Sequence, residues 1–481
     1  MTETEAVRAM IEGSAPLSLA EIVAEEIAEF VGSPRYKEMA AAEAYYRNHS
    51  DVQRKTNRIE NRSNVKMEHP ILRKLVDQKA KYLLSKPWSV ETEDEKYADA
   101  LGELFDEGFR RKLKSQGKGA VKSGIAWMAP YIGGDGKLDF LRLPSTEVKP
   151  LWTDTEHTVL GAYIHFYPQT VYVGRDKRVI LRVEYWDKNG VKRFRSKGSI
   201  GSFPPVSVGL EPDMELGESE NHFRMGEEAY NWTNVPVLWT KYNEEELPLL
   251  RFIKDLIDDV NWQKSVTADV LRDVANFIYI LRNYGGADLG EFVRELQSAL
   301  AIKVEGDGGV EKLQADLNID AVLSFLAEDR RDLYDYASGV DTQSQDLGNA
   351  SGTALFFRYM DLDSDCAELG AALNDTFRQM KPFVDTWLQL TGRGDFSRSK
   401  FSVVFNADMP VNEGDVIQNV VSSQGIVSKK TLLENHPWVK DVGAELKEVE
   451  KEKKEDMEAY GGGLFGGDLY GKGGVSHGEE E

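Results

Sequence analysis

The longest helical signal lies between residues 244 and 275, where Leu249, Leu250, Ile253, Leu256, Ile257, Val260, Val266, Val270, Leu271 and Val274 recur at helical spacing. At 1.5 Å per residue such a helix spans ~48 Å. A second long helical pattern runs from about Ile319 to Ser338. Between the two lie FIYIL (277–281), a helix starting near Leu289, and AIKVEG (301–306) before the Asp307-Gly308-Gly309 turn. A small α/β lobe inserted between two long helices sets those helices side by side. Residues 341–352 (DTQSQDLGNASG) are polar and rich in Gly, Ser and Asn, a flexible loop by composition. After it a helical pattern from Thr353 to Leu390 reaches ~57 Å if continuous, with Pro382 expected to kink it because one backbone donor is missing.

The remainder is mixed, so the fold class is α+β, mainly helical. Residues 17–31 (LSLAEIVAEEIAEFV) form one amphipathic helix stopped by Gly32-Ser33-Pro34. From Arg35 to Lys86 the charge reverses, with 13 Lys/Arg against 6 Asp/Glu. Within this basic island Ile71, Leu72, Leu75, Val76, Ala80, Leu83 and Leu84 mark a helix ended by Lys86-Pro87. From Trp127 to Trp239 short alternating runs broken by Gly, Asp and Asn predict antiparallel hairpins, with Gly201 to Trp232 as a long connection. A strand at 400–405 (KFSVVF) and helices over 412–459 follow, and the Gly-rich and acidic tail 461–481 is expected to be disordered. A length of 481 residues fits about three structural units.

Several chemistries find no support. With 81 Asp+Glu against 59 Lys+Arg, a net charge of −22, the chain is a poor candidate for coating nucleic acid, which needs clustered cations. The basic island fits nucleic acid or an acidic neighbour, including another copy of the chain, equally well on charge. Gly119 to Gly124 has P-loop glycine spacing but Ile125 in place of the lysine; Gly466 to Lys472 has the lysine but Gly473 in place of Ser/Thr and no preceding strand. Asp361, Asp363 and Asp365 look like the start of a calcium loop but lack its glycine and sit in a helical pattern, which reads as a solvated acidic face. The seven histidines form no metal-ligand pair, and Cys366 stands without a motif. No catalytic, cofactor or metal site is expected. The acidic N-terminus does not read as a signal peptide, and no apolar run is long enough to span a bilayer.

Tyr45-Tyr46-Arg47-Asn48-His49, Asn61-Arg62, Asn64 and Val76-Asp77-Gln78-Lys79-Ala80-Lys81-Tyr82-Leu83-Leu84-Ser85-Lys86-Pro87 together resemble the portal proteins of tailed bacteriophages, of the SPP1-type siphophage family. Asn48 and Ser85 stand where that family usually has glycine. The resemblance continues through Val235-Pro236-Val237, Lys241 to Glu245, Lys254 to Asp258, Tyr279 to Tyr284, Ile302 to Val304, Gly306 to Val310, Gly352 to Leu355 and Asn435 to Val439, covering roughly residues 30 to 455.

The resemblance implies a ring, typically a dodecamer, at one capsid vertex in the virion, without enzymatic activity. DNA is packaged through it by the terminase large subunit and later ejected. Major capsid and scaffolding proteins, a head-tail connector or adaptor and double-stranded DNA are the implied partners. It also implies an N-terminal arm (1–30), a wing (31–243 and 353–410), stem helices (244–276 and 319–340), a clip (277–318), a tunnel loop (341–352), a crown (411–460) and the tail. The tunnel-loop candidates for DNA contact are Asp341, Thr342, Gln343, Ser344, Gln345, Asp346, Leu347, Gly348 and Asn349. Eight acids against four bases in 244–275, repeated around a ring, would give either a carboxylate-rich channel wall that repels phosphates or charges facing outward or between subunits, since sequence does not give the face; Asp255, Asp258, Asp259, Lys264, Asp269 and Asp273 are the wall candidates. Arg282, Asn283, Tyr284, Glu291, Arg294, Glu305 and Asp307 are the clip candidates for docking terminase or connector. Alternative readings are a capsid adaptor or scaffold without a channel and, from another class, a nuclease using acidic clusters to bind metal.

Overall fold

A computed structural model of the chain describes residues 17–56, 63–273, 278–282, 290, 309–313, 318–343, 352–406, 413–439 and 442–461. The expected clip helix near Leu289, the strand AIKVEG and the tail 462–481 lie outside the described residues. Two compact units are formed, one from Met1–Gln343 with Tyr359–Met409, the other from Ser344–Arg358 with Pro410–Glu481.

The larger unit opens with α1 (Leu19–Gly32), started by a capping box in which Ser18 and Glu21 satisfy each other's backbone N–H. Gly32-Ser33-Pro34 ends this helix but does not begin a loop. Ser33 also caps α2 (Pro34–Tyr46), accepting from Tyr36 N at 3.1 Å, with Pro34 in the first turn where its missing N–H costs nothing. Just past α2, Asn48 takes a left-handed φ of 63°, which asparagine tolerates better than most residues in a position where glycine is the easier choice. The basic-island helix α3 (Ile71–Leu84) follows the expected spacing and buries Leu72, Leu75, Val76, Ala80 and Leu83.

The strand β1 (Ser89–Thr92) leads to α4 (Glu95–Leu104) and α5 (Glu107–Ser123), capped by Asp94 and Asp106. Gly124, the last glycine of the P-loop-like spacing, ends α5 at φ 79°. A Cβ there would lie 1.9 Å from the Glu246 carbonyl oxygen, so this glycine serves a close backbone approach.

Antiparallel pairing then dominates. A three-stranded sheet has β2 (Ile125–Ile132) between β3 (Leu138–Leu143) and β12 (Leu238–Lys241). A six-stranded sheet runs β4 (Val148–Trp152), β5 (Leu160–Val173), β6 (Asp176–Asp187), β7 (Gly190–Ser196), β8 (Leu210–Pro212), with β9 (Ser219–Glu220) also on β7. Ala162↔Asp187 through Val173↔Asp176 sets the register of its long hairpin. Residues 201–232, expected to be one connection, instead supply β8, β9 and the hairpin β10 (Phe223–Met225) and β11 (Glu228–Tyr230). Their runs of two or three residues are too short to show alternation. Phe30 and Ile27 of α1 join Phe166, Leu181 and Val183 in one core, while α3, α5 and the long helices share the other.

Next come α6 (Leu250–Asp273), the pair β13 (Ile278–Arg282) and β14 (Gly309–Leu313), and α7 (Ile319–Tyr336), which packs against α6. The third long helix, α8 (Gly352–Leu390), is continuous through Pro382, and β15 (Phe401–Val404) closes back on β1. The smaller unit carries α9 (Glu413–Ser422), α10 (Lys429–Glu434) and α11 (Val442–Gly461).

The helix expected over 244–275 begins only at Leu250. Pro248 disfavours helical geometry in the residue before it, and Glu246 sits at φ 58° in a turn closed by Asn243, whose side chain bonds Leu247 N and O at 2.8 and 2.9 Å. Glu246 is 2% exposed and meets His157 at 3.0 Å, Lys241 at 3.2 Å and Arg35. It is an internal anchor, and Glu244 and Glu245 likewise precede the helix.

Candidate functional site

The helices α6 and α7 and the chain leaving α7 toward residue 344 carry most of the described residues that the sequence singles out. On α6, Asn261, Ser265, Asp269 and Asp273 recur every four residues and therefore share a face. Against this face lies the extended segment 63–69. His69 N donates to Asn261 Oδ1 at 3.1 Å, Met67 N to Ser265 Oγ at 2.9 Å, Val65 N to Asp269 Oδ1 at 2.6 Å and Ser63 N to Asp273 Oδ1 at 3.1 Å. The geometry is a matter of matching periods: two extended residues advance about 6.6 Å and four helical residues about 6 Å. Every second N–H therefore finds an acceptor one helical turn along. A short stripe of Asn, Ser and Asp at four-residue spacing was the signal in the sequence for such a ladder, and the expectation of a channel wall passed over it.

The ladder continues with charge. The Lys55 ammonium, almost fully buried, pairs with Asp269. Lys254 lies 2.7 Å from Asp51 and 2.5 Å from Asp258, and Tyr45 donates to Asp258 at 2.5 Å. The Asp258 carboxylate and burial together push the Tyr45 phenol well above its ordinary range, burial contributing most. Of the six wall candidates, Asp258, Asp269 and Asp273 thus face residues 45–55 and 63–69 of the same chain. Asp255 is exposed, and Lys264 is half-buried. Asp259 meets Asp329 of α7, which is 5% exposed and whose Oδ2 finds no donor among the described residues. Burial, then Asp259, raises the Asp329 carboxyl above its usual range.

The carboxylate excess is clearer on α7, where Asp320, Glu328 and Asp335 are exposed and Asp332 half-buried. Leu323 and Phe325 are exposed on the same helix, as are Phe252, Trp262 and Leu271 on α6.

Beyond α7 the chain is pinned. Arg330 grips Asp341 with two bonds of 2.5 and 2.8 Å, and Asp341 Oδ1 accepts from Gln343 N at 3.0 Å. The Arg330 guanidinium holds the Asp341 carboxyl below the usual carboxylate range. Thr342 and Gln343 are exposed. Ser344, Gln345, Asp346, Leu347, Gly348 and Asn349 lie outside the described residues. Of the clip candidates, Arg282 ends β13 opposite Gly309, and Asn283, Tyr284, Glu291, Arg294, Glu305 and Asp307 lie outside the described residues.

The aspartates at 361, 363 and 365 correct the expectation of a solvated acidic face. Asp363 accepts from Tyr82 at 2.7 Å, and Asp365 accepts from Tyr242 at 2.8 Å and from the fully buried Lys79 at 2.8 Å. Asp361 takes no part in these contacts. Lys79 falls among Leu72, Leu75, Val76 and Leu83, and a lysine within an apolar stripe was the available sign that it is buried and paired. Among the described residues no three of His, Cys, Asp and Glu converge as metal ligands, and no helix is long and apolar enough to cross a membrane.

Comparison with known proteins places this architecture. The portal protein of Bacillus phage SPP1 is 28% identical over 408 residues, 83% of this chain and 78% of that protein. The portal protein of Clostridium phage phiCD119 is 26% identical over 447 residues, 87% of this chain and 93% of that one. Among solved structures, the neck of a native GTA particle computed with C12 symmetry aligns with a TM-score of 0.40 and 13% identity over 76% of this chain and 88% of that chain. The family described as phage portal protein, SPP1 Gp6-like, matches residues 33–459, and the chain belongs to that family of phage portal proteins.

Proposed function

We propose that copies of this chain close into a ring, by family expectation a dodecamer, at a single capsid vertex, and that double-stranded DNA passes through its lumen. The observation that carries the reading is the uncovered surface of α6 and α7. A subunit alone leaves Phe252, Trp262, Leu271, Leu323 and Phe325 in water, and a neighbouring copy supplies the apolar cover they lack. Beside them the exposed carboxylates of α7, repeated around a ring, repel phosphates and keep passing DNA from sticking. In this reading α6 and α7 are the stem, β13 and β14 belong to the clip, residues 341–352 are the loop that meets DNA, and α9 to α11 are the crown.

The chain itself performs no chemistry in this scheme. The terminase large subunit supplies ATP hydrolysis and docks with a head-tail connector at the clip, around Arg282, Asn283, Tyr284, Glu291, Arg294, Glu305 and Asp307. Major capsid and scaffolding proteins surround the ring in the virion. Electron microscopy of the purified chain tests the assembly: rings with a central hole are expected, whereas closed shells or monomers favour an adaptor or scaffold. Magnesium-dependent cleavage of DNA by the pure protein would instead support a nuclease. Shortening Gln343 to Gly348 tests the loop, and unchanged packaging by intact rings would remove its assigned role.

A further inference from the structure

The strand β5 ends in surroundings opposite to those in which it begins. Neighbouring strands cover only part of the β5–β6 hairpin: β4 pairs with Leu160–His165 of β5, and β7 pairs with β6 from Arg182 onward. Past Val179, whose carbonyl oxygen accepts from Ile200 N at 2.7 Å, the hairpin runs on as a two-stranded ribbon. It extends from Thr170↔Val179 to Val173↔Asp176 and turns at Gly174 with φ 63°. Such a ribbon is marginal in water by itself. Its tip carries Tyr172, 72% exposed, and Val173, 55% exposed, with Arg175, Lys177 and Arg178 against the single acid Asp176. Arg178 lies 3.6 Å from Asp176, which leaves Arg175 and Lys177 with no ion pair among the described residues.

At its other end, the turn into β5 borders an open cleft of about 1040 Å³, lined also by Trp239 and by Glu244, Glu245 and Glu246. The cations of this cleft are already engaged: Arg35, His157 and Lys241 meet the buried Glu246, and Arg378 pairs with Asp375. The exposed Glu156, Glu244 and Glu245 form no ion pair among the described residues. A strand of 14 residues, roughly 45 Å at strand rise, therefore holds the basic, aromatic tip away from the acidic cleft of its own subunit.

We infer that the β5–β6 tip of one copy docks in the cleft of Glu156, Glu244 and Glu245 on the next copy. The inference rests on the reading that copies close into a ring. Complementary patches at opposite ends of one strand make a head-to-tail contact, the kind that closes a ring when the rotation permits. Arg175 and Lys177 meet the three free carboxylates, and Tyr172 brings apolar area to the Trp239 wall. The occupant is a second copy because this chain, at net −22, presents the carboxylates that the tip lacks, and like-charged copies repel unless such contacts are placed between them.

Arg175→Glu with Lys177→Glu in the full-length chain is the first test, read by sedimentation and electron microscopy. The melting transition is expected to hold, because both side chains stand in solvent, while the concentration for half-maximal ring assembly rises about tenfold. Glu244→Lys with Glu245→Lys should weaken assembly likewise, and combining the four changes should restore most of it. In unaltered rings a zero-length carbodiimide should join Lys177 of one copy to Glu156, Glu244 or Glu245 of another, as read between isotope-labelled and unlabelled copies. Rings that form equally well with either surface reversed would overturn the docking and leave the ring reading intact. So would a combined variant weaker than both of its parents, or Lys177 joined only to a different protein in assembled heads. An unaltered chain that stays monomeric at every concentration and salt removes the ring reading, and the docking with it.

Discussion

The helices α6 and α7 lie against each other and are both rich in aspartate, yet they use it in opposite ways. On α6 the carboxylates of Asp258, Asp269 and Asp273 accept hydrogen bonds from Tyr45, Val65 and Ser63, so they are part of how the subunit holds its own chain. On α7 Asp320, Glu328 and Asp335 stand in solvent, and only Asp329 is buried, against another carboxyl. Charge counted along a sequence therefore says little until each acid is assigned a partner. Two helices of similar composition divide the work, one fastening the fold and the other setting the field at the surface.

That contrast can be broken at its strongest point by Asp269→Ala. The substitution leaves the buried Lys55 ammonium with no counter-charge and only the Val65 carbonyl oxygen at 3.2 Å as acceptor, and it leaves Val65 N without an acceptor, for an expected loss of about 3–5 kcal/mol in a denaturant titration. A loss under about 1 kcal/mol, within the range of an exposed ion pair, would mean that the ladder is ornamental.

The Asp259 and Asp329 contact sharpens the comparison through pH. Because the native state raises the Asp329 carboxyl, the stability tied to its protonated form is fully present below the ordinary carboxylate range. That stability is lost as pH rises through the raised native value. Asp329→Asn cannot ionise, so it should stabilise the protein by about 1 kcal/mol at neutral pH, with the advantage disappearing in acid. Equal effects at pH 4 and pH 8 in thermal melts would dismiss the carboxyl pair.

The smallest expected effect is at the exposed acids. Replacing Asp320, Glu328 and Asp335 singly by Ala should shift stability by less than about 0.5 kcal/mol each. Replacing all three together by Lys should raise retention of DNA at low salt, an effect that fades as salt screens it. Retention indifferent to these changes would place the relevant field elsewhere.

Much of the scaffold was legible because it rests on local periodicity. The α3 stripe, the ends of α7 and the long run of α8 follow from residues three and four apart. The start of α6 was misplaced because apolar spacing at Leu249 and Leu250 outweighed Pro248, whose effect falls on the residue before it. What remained hidden depends on partners far away in sequence. Asp365 looks solvated among its neighbours and becomes an anchor only when Lys79 and Tyr242 arrive from other elements. The α6 ladder is an intermediate case: its acceptors are spaced regularly, but nothing in residues 63–69 announces that their N–H groups will turn to a helix.

Cys366, the single cysteine of the chain, lies at this junction, buried and with its Sγ 3.6 Å from the Lys79 carbonyl oxygen. Burial pushes its thiol up to about 12, so at neutral pH it is neither ionised nor within reach of an alkylating reagent. The unaltered protein thereby carries its own chemical gauge. Alkylation by iodoacetamide therefore requires local opening around Cys366, and its rate in the unaltered protein measures how readily the packing of α3 against α8 gives way.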